Sequence, residues 1–324
     1  MVSLQTSYAG LSLDNPIVVG SSGLVDNPDK VRRMADFGPG AIVLKSLFEE
    51  QILADSGRIT EVNAYPEALD YIRNYSKSHT VGKYLDLIGD ARKTVHLPII
   101  ASINCISGSV WTGFARQIEE AGADALELNI FILPVDDLES ARIEKKYFEV
   151  LDQVKAKTRL PLIVKISPYF TNLVYMVHQF YAHGAQAVVL FNRLYEPDID
   201  LAENHVTSHD VFSNPADLRQ SLRWISLISD KDRKIDLSAS TGVHDPAAVI
   251  KLLLAGASTV QVCSVLYKNG PEYLQILLNG LENWMQKKGY NNIDDFRGLL
   301  NYRSHEDPAT WERVQFMRYY SERH

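Results

Sequence analysis

Short apolar runs alternate along this chain with longer stretches whose apolar residues recur every three or four positions. The short runs are "PIVVGSS" (16–22), "AIVLKS" (41–46), "PIIASIN" (98–104), "ALELNIF" (125–131), "PLIVKIS" (161–167), "AVVLFN" (187–192), "KIDLSAS" (234–240) and "TVQVCS" (259–264). Their β-branched and apolar content predicts strands, and the stretches between them predict helices, so the chain repeats the strand–helix unit of a parallel sheet. In "GFARQIEEAG", Phe114, Ile118 and Ala121 share one helical face, with Arg116, Glu119 and Glu120 on the other. "NLVYMVHQFYAHG" and "AAVIKLLLAGA" follow the same period; the latter starts after "HDP", where Asp245 is the expected N-cap and Pro246 the first helical residue. "FGPGA", "EAGADA", "AHGAQA" and "LAGAST" each put a Gly at a helix end just before a strand.

Eight such units predict an α/β fold, a (β/α)₈ TIM barrel, as one domain over residues 1–324. An open doubly wound sheet is the alternative, but no Gly-x-Gly-x-x-Gly follows the first run. Two strand-to-helix connections, near 47–80 and 193–214, are much longer than usual and predict walls or lids at the functional face. From about 290 the tail reads as one or two packing helices, or as a reach toward a second subunit.

Composition narrows the class. The chain has 324 residues, a net charge of −7 and no clustered Lys and Arg, which argues against a nucleic-acid surface. Its two cysteines, Cys105 and Cys263, suit a reducing compartment. Neither a signal peptide nor a long apolar span is evident, so the expectation is a soluble cytoplasmic protein.

The candidate chemistry lies at the strand ends, which read "SSG" (21–23), "KS" (45–46), "IN" (103–104), "LN" (128–129), "KIS" (165–167), "FN" (191–192), "SAST" (238–241) and "CS" (263–264). Buried polar groups need partners, so their convergence at one mouth suggests a ligand. Hydrogen-bonded polar layers inside barrels would account for one or two of these ends. Lys45 and Lys165 suggest a clamp on a ligand that accumulates negative charge; a Schiff-base lysine is the other possibility. "SASTGVHDP" and "CSVLYKNGP" carry small and hydroxyl residues after the last two strands, where such barrels commonly bind phosphate. His205 and His209 have the i, i+4 spacing of some zinc sites, but in a loop and with no Glu between them, which favours solvated histidines. His178 and His183 read as half-exposed packing residues of a helix. Cys105 either faces the mouth or is an inert buried thiol.

Taken together, these stretches resemble the FMN-dependent dihydroorotate dehydrogenases of the soluble class 1, over roughly residues 10 to 300. "NPIVVGSSG" looks like the family's first strand, which implies flavin contacts at Ser22 and Gly23. "AIVLKS" carries over Lys45 and Ser46 as flavin and substrate contacts. "EEAGADALELN" places Asn129 beside both, "LPLIVKISP" sets Lys165 near the flavin N1 and O2 edge, and "VVLFN" brings Asn192 to the substrate. "STGVHDPAAVIKLLLAGASTVQVCSVLYKNGP" resembles the FMN phosphate segment and implies Thr241, Gly242, Cys263 and Ser264 around the phosphate. The resemblance implies oxidation of dihydroorotate or a related dihydropyrimidine, with hydride passing from C6 to flavin N5 while a base removes the C5 proton. It also suggests a homodimer.

The chain departs from the family at that base. The family writes Asn-x-Ser-Cys-Pro-Asn, or a Ser variant, after its fourth strand. Here the stretch is Asn129-Ile130-Phe131-Ile132-Leu133-Pro134, followed by Val135 and Asp136. In "NAYPEALDY", Asn63 and Pro66 match the family's substrate loop, but Glu67 stands where an Asn is expected. In the phosphate segment, Ser240 and Cys263 replace glycines. Cys105, Glu67 and Asp136 are the replacement bases to consider, and turnover of dihydroorotate is expected to be absent or slow. Three functions remain: an oxidoreductase of this family, a flavin-binding relay subunit without the base, and a flavin-free lyase using Lys165 or Lys45. The chain has no Cys cluster for iron–sulfur. Fumarate, or NAD through a separate electron-transfer partner, are both compatible as acceptor.

Overall fold

The computed structural model describes residues 2–55, 81–105, 111–133, 137–193, 196–208, 210–229 and 234–311. Eight parallel strands form the centre: β1 (Ile17–Val19), β2 (Ala41–Val43), β3 (Ile99–Cys105), β4 (Ala125–Ile130), β5 (Leu162–Ile166), β6 (Ala187–Leu190), β7 (Asp236–Ser240) and β8 (Thr259–Val262). Each pairs with its neighbour, and β8 returns to β1 through Val260 opposite Ile17, closing a (β/α)₈ barrel. A two-residue strand, Leu47–Phe48, extends the open edge of β3 beyond β2.

A principal helix follows each strand: α1 (Pro28–Ala35), α2 (Val81–Thr94), α3 (Trp111–Glu120), α4 (Ser140–Lys155), α5 (Leu173–Ala182), α6 (Leu218–Ile228), α7 (Pro246–Ala255) and α8 (Tyr273–Lys288), with shorter helices Glu49–Asp55 before α2 and Ser264–Asn269 before α8. Asp245 caps α7 as its sequence predicts, accepting from the Ala248 N–H at 2.7 Å with Pro246 in the first turn.

The twofold period of strand side chains divides the core in two. Ile42, Ile99, Leu126, Leu162, Val188 and Val260 point outward and pack beneath the helices. Val18, Val43, Ile100, Ile163 and Val189 point inward and meet Tyr8 and Leu13 of an N-terminal hairpin that plugs the barrel floor. Above this layer the inward positions turn polar.

Three expectations are modified. The strands are shorter than their apolar runs; at the end of the second run, for example, the Lys45 N–H has turned from the ladder to the Val25 carbonyl. The connection after β6 holds an antiparallel hairpin, Pro197–Asp200 with His205–Ser208. Between 290 and 311 the tail forms no α-helix, only the 3-10 turns Ile293–Asp295 and Pro308–Trp311. The interruption is at Gly298, where φ is 73° and the N–H leaves the helical pattern to donate to the Leu253 carbonyl at the end of α7.

Candidate functional site

At the C-terminal ends of the strands a cavity of about 800 Å³, its open mouth included, runs from β1 across to β5, β6, β7 and β8. Its wall includes Ser21, Lys165, Asn192, Thr241, Gly242, Cys263 and Ser264. Residues separated by more than two hundred positions therefore share one surface, as strand-end polarity alone suggested.

Strand alternation explains which side chains arrive there. In β4, Leu126, Leu128 and Ile130 are taken up by the outer core, so Glu127 and Asn129 turn inward. In β5, Leu162, Val164 and Ile166 pack outward and Lys165 turns in; in β8, Val260 and Val262 pack outward and Gln261 turns in. Lys165 donates to Gln261 Oε1 at 2.8 Å, and Gln261 Nε2 donates to Glu127 Oε2 at 2.6 Å. The Lys165 ammonium stands 3.8 Å from the other Glu127 oxygen, and both side chains are almost wholly enclosed.

From Glu127 a line of hydroxyls returns to the cavity. Ser102 Oγ reaches Glu127 at 3.5 Å, Ser46 Oγ meets Ser102 Oγ at 2.8 Å, and Ser21 Oγ meets Ser46 Oγ at 3.0 Å. The Tyr84 hydroxyl clamps the Ser102 backbone, donating to its carbonyl at 3.0 Å and accepting from its N–H at 2.8 Å. Burial pushes the Tyr84 phenol well above its ordinary range, so it stays protonated.

Asn129 and Asn192 meet directly, Asn192 Nδ2 donating to Asn129 Oδ1 at 3.0 Å. Thr241 holds a left-handed backbone, φ 77°, and its hydroxyl donates to the Phe191 carbonyl at 3.1 Å. A β-branched residue seldom adopts this conformation, and the strain falls at the cavity wall. Burial raises the Cys263 thiol, with the Ser22 hydroxyl and the Lys165 charge pulling the other way, which leaves a protonated and weakly nucleophilic group. The Ser264 hydroxyl accepts from the Ser213 N–H at 3.0 Å and so ties the connection after β6 to the end of β8. Arg193 ties the same connection to α6, donating to Asp217 at 3.1 Å and to the Asp210 carbonyl at 2.8 Å.

The other sequence candidates fall as follows. Lys45 and Ser46 lie half-buried just past β2. Ser22 caps the 3-10 turn Gly23–Val25 through Leu24 N–H, directly after Gly20 and Ser21, which line the cavity at β1. Cys105 closes β3, but its side chain lies outside the described residues, as do Asn63, Pro66, Glu67 and Asp136. After Asn129 the described chain runs Ile130, Phe131, Ile132, Leu133, none of them an acid or base. His205 sits exposed on a strand, and His209 lies outside the described residues. His183 contacts Asp152 at 2.7 Å and stacks on Phe148, and His178 is exposed. Gln261 was not legible as a functional residue; its signal was an amide inside the apolar run "TVQV", at a position that faces inward.

Comparison with known proteins gives a consistent picture. The sequence profile described as dihydroorotate dehydrogenase matches residues 3–285. A relative from Thermoplasma volcanium, described as the catalytic subunit of dihydroorotate dehydrogenase B (NAD(+)), is 24% identical over 311 residues, covering 92% of this chain and 99% of the relative. The PreA subunit of NAD-dependent dihydropyrimidine dehydrogenase from Escherichia coli is 23% identical over 326 residues, covering 92% of this chain and 77% of the relative. Among solved structures, the dihydroorotate dehydrogenase of Eimeria tenella in complex with ferulenol superposes with a TM-score of 0.68 at 15% identity, over 91% of this chain and 88% of that one. This last likeness speaks for the fold. Among the described residues no helix is long and apolar enough to cross a membrane.

Proposed function

Since the chain belongs to the dihydroorotate dehydrogenase family, we propose that it is an FMN-dependent oxidoreductase acting on dihydroorotate or a related dihydropyrimidine. The observation that carries this reading is the one cavity wall joining Lys165 to Thr241, Gly242, Cys263 and Ser264. Its donor set fits FMN. A nearly buried ammonium suits an electron-rich ring edge, and hydroxyls with a glycine backbone after β7 and β8 suit a phosphate. When bound, FMN supplies a two-electron acceptor for hydride.

The chain's own residues bind and orient. Lys165, fixed by Gln261 and Glu127, presents positive charge where the ligand gains electrons. The Asn129–Asn192 pair uses one carbonyl and one N–H internally, and the Asn129 amide N–H groups and the Asn192 carbonyl would complement the acceptor and donor of a ring amide. Lys45, at the end of β2, is assigned to the substrate's developing charge. Removal of the C5 proton falls to Cys105, Glu67 or Asp136, since Ile130 to Leu133 offer no proton acceptor. That same observation favours a second reading, a member with a changed substrate or a flavin-binding relay subunit. The lyase reading has less support at Lys165, whose Nζ is engaged with Gln261 and Glu127 inside the barrel.

The description of the archaeal relatives as catalytic subunits supports a separate electron-transfer partner. The assembly is proposed to be a cytoplasmic homodimer with no nucleic-acid or membrane partner. The test is the visible flavin spectrum of the purified protein, followed by anaerobic reduction with dihydroorotate. Lack of a flavin band both before and after adding FMN would refute the cofactor. Flavin that binds but is not reduced by dihydroorotate would favour the second reading.

A further inference from the structure

Glu127 is fully enclosed in the barrel, where an ionised carboxylate is costly unless its partners compensate it. Gln261 Nε2 donates to it at 2.6 Å, Ser102 Oγ at 3.5 Å, and the Lys165 ammonium stands 3.8 Å away. Gln261 in turn accepts from Lys165 at 2.8 Å. A carboxylate only accepts and an ammonium only donates, so the amide between them has a single workable orientation. Its flip would set acceptor against acceptor and donor against donor. The bridge is therefore polarised as well as rigid, with Tyr84 and the Ser21–Ser46–Ser102 hydroxyls bracing its far end. For stability alone, well-packed apolar side chains serve such a position as well or better. A buried charge pair whose cationic end emerges at the cavity points to use.

We propose that Glu127, acting through Gln261, is a positioning residue: it fixes the Lys165 ammonium at the cavity wall and so sets how much more tightly the site holds reduced than oxidised flavin. The inference rests on the FMN reading above. It assigns Glu127 no contact with cofactor or substrate, and its effect passes through Lys165.

The experiment is a redox titration of the FMN-loaded full chain, combined with fluorescence titration of oxidised FMN, for wild type, Glu127→Gln, Lys165→Met and the double variant. Glu127→Gln is expected to change the ratio of reduced to oxidised affinity by about tenfold, equivalent to about 30 mV for a two-electron couple. In the Lys165→Met background the same substitution is expected to change it by less than about twofold, because the group it acts through is gone. If Glu127→Gln does not fold, Gln261→Met breaks the same bridge and is compared in the same two backgrounds. Wild type that takes up no FMN overturns the cofactor reading, and this inference with it. Wild type that binds FMN while Glu127→Gln leaves the ratio unchanged, or changes it equally without Lys165, overturns this inference alone.

Discussion

Gly242 offers the sharpest check on how the cavity is built. It follows Thr241 in the wall with φ at 79°. A Cβ added there would overlap the backbone nitrogen of Leu218 and lie 2.7 Å from both the Leu218 Cα and the Asp217 carbonyl carbon. These are backbone atoms at the start of α6, so no side-chain rotation can relieve the contact. Two costs follow for Gly242→Ala. The left-handed backbone costs an L-residue about 1–2 kcal/mol, and forcing a methyl into packed structure adds about 1–3 kcal/mol. Gly10 separates the two, because its φ is 81° but a Cβ there meets nothing within 4 Å. Gly10→Ala should therefore show the backbone cost alone. Urea unfolding of the two variants beside wild type reads the difference, expected to be at least about 1 kcal/mol. FMN titration of the folded variants reads the second consequence. Relief of the overlap must displace Gly242 and the adjoining Thr241, so affinity should fall by about tenfold or more, against no change for Gly10→Ala at the barrel floor. Equal stability losses would refute the steric argument. Undiminished FMN affinity in folded Gly242→Ala would refute the assignment of this turn to the cofactor.

Other outcomes follow from the same structure. Burial raises the Asp236 carboxyl, with hydrogen bonds from Ser258 and the Ala9 N–H opposing it. Its contribution is full below the ordinary carboxylate pKa and is lost as pH rises through the raised value, so Asp236→Asn should flatten the stability of the folded protein across that window, read as unfolding midpoints against pH. His244 is shifted the other way, lowered first by burial and then by Lys268. Its contribution is full above the ordinary histidine pKa and is lost as pH falls through the lowered value, so His244→Gln should reduce the fall in unfolding midpoint on that acid side. Counted from Asn129 in the family pattern Asn-x-Ser-Cys, Ile132 would take the place of the base, and its backbone N–H donates to the Tyr147 hydroxyl at 3.2 Å. Ile132→Cys is expected to speed anaerobic flavin reduction by dihydroorotate by about a hundredfold, and no gain would show that the base sits elsewhere. Asn192→Ala breaks the amide pair and should slow the same half-reaction while leaving FMN affinity within about threefold, whereas an equal loss of both would place Asn192 on the cofactor.

Much of the architecture was legible because it is written in local periodicity. The apolar runs, the helix faces and the Asp245–Pro246 start depend on neighbours within one turn or one strand, and the structure forms each where the pattern lies. Between 290 and 311 the described tail departs from the helix expectation for a related reason. Its apolar spacing suits a helix, but Gly298 turns its N–H to the Leu253 carbonyl, a contact no local pattern reports. The hairpin within 193–214 was hidden in a stretch whose polar residues gave only a loop.

Taken alone, the sequence determined the barrel, the face that carries polar strand ends, the lysines and asparagines at those ends, and the lack of an acid or base from Ile130 to Leu133. Only the tertiary structure decided which of those groups act together. Glu127 and Gln261 are 134 positions apart, and their hydrogen bond exists because barrel closure brings β8 within reach of β4. Whether an inward polar residue faces a ligand, a countercharge or another hydroxyl depends on strand tilt and on what stands across the barrel. Those are distances through space, and spacing along the chain does not encode them.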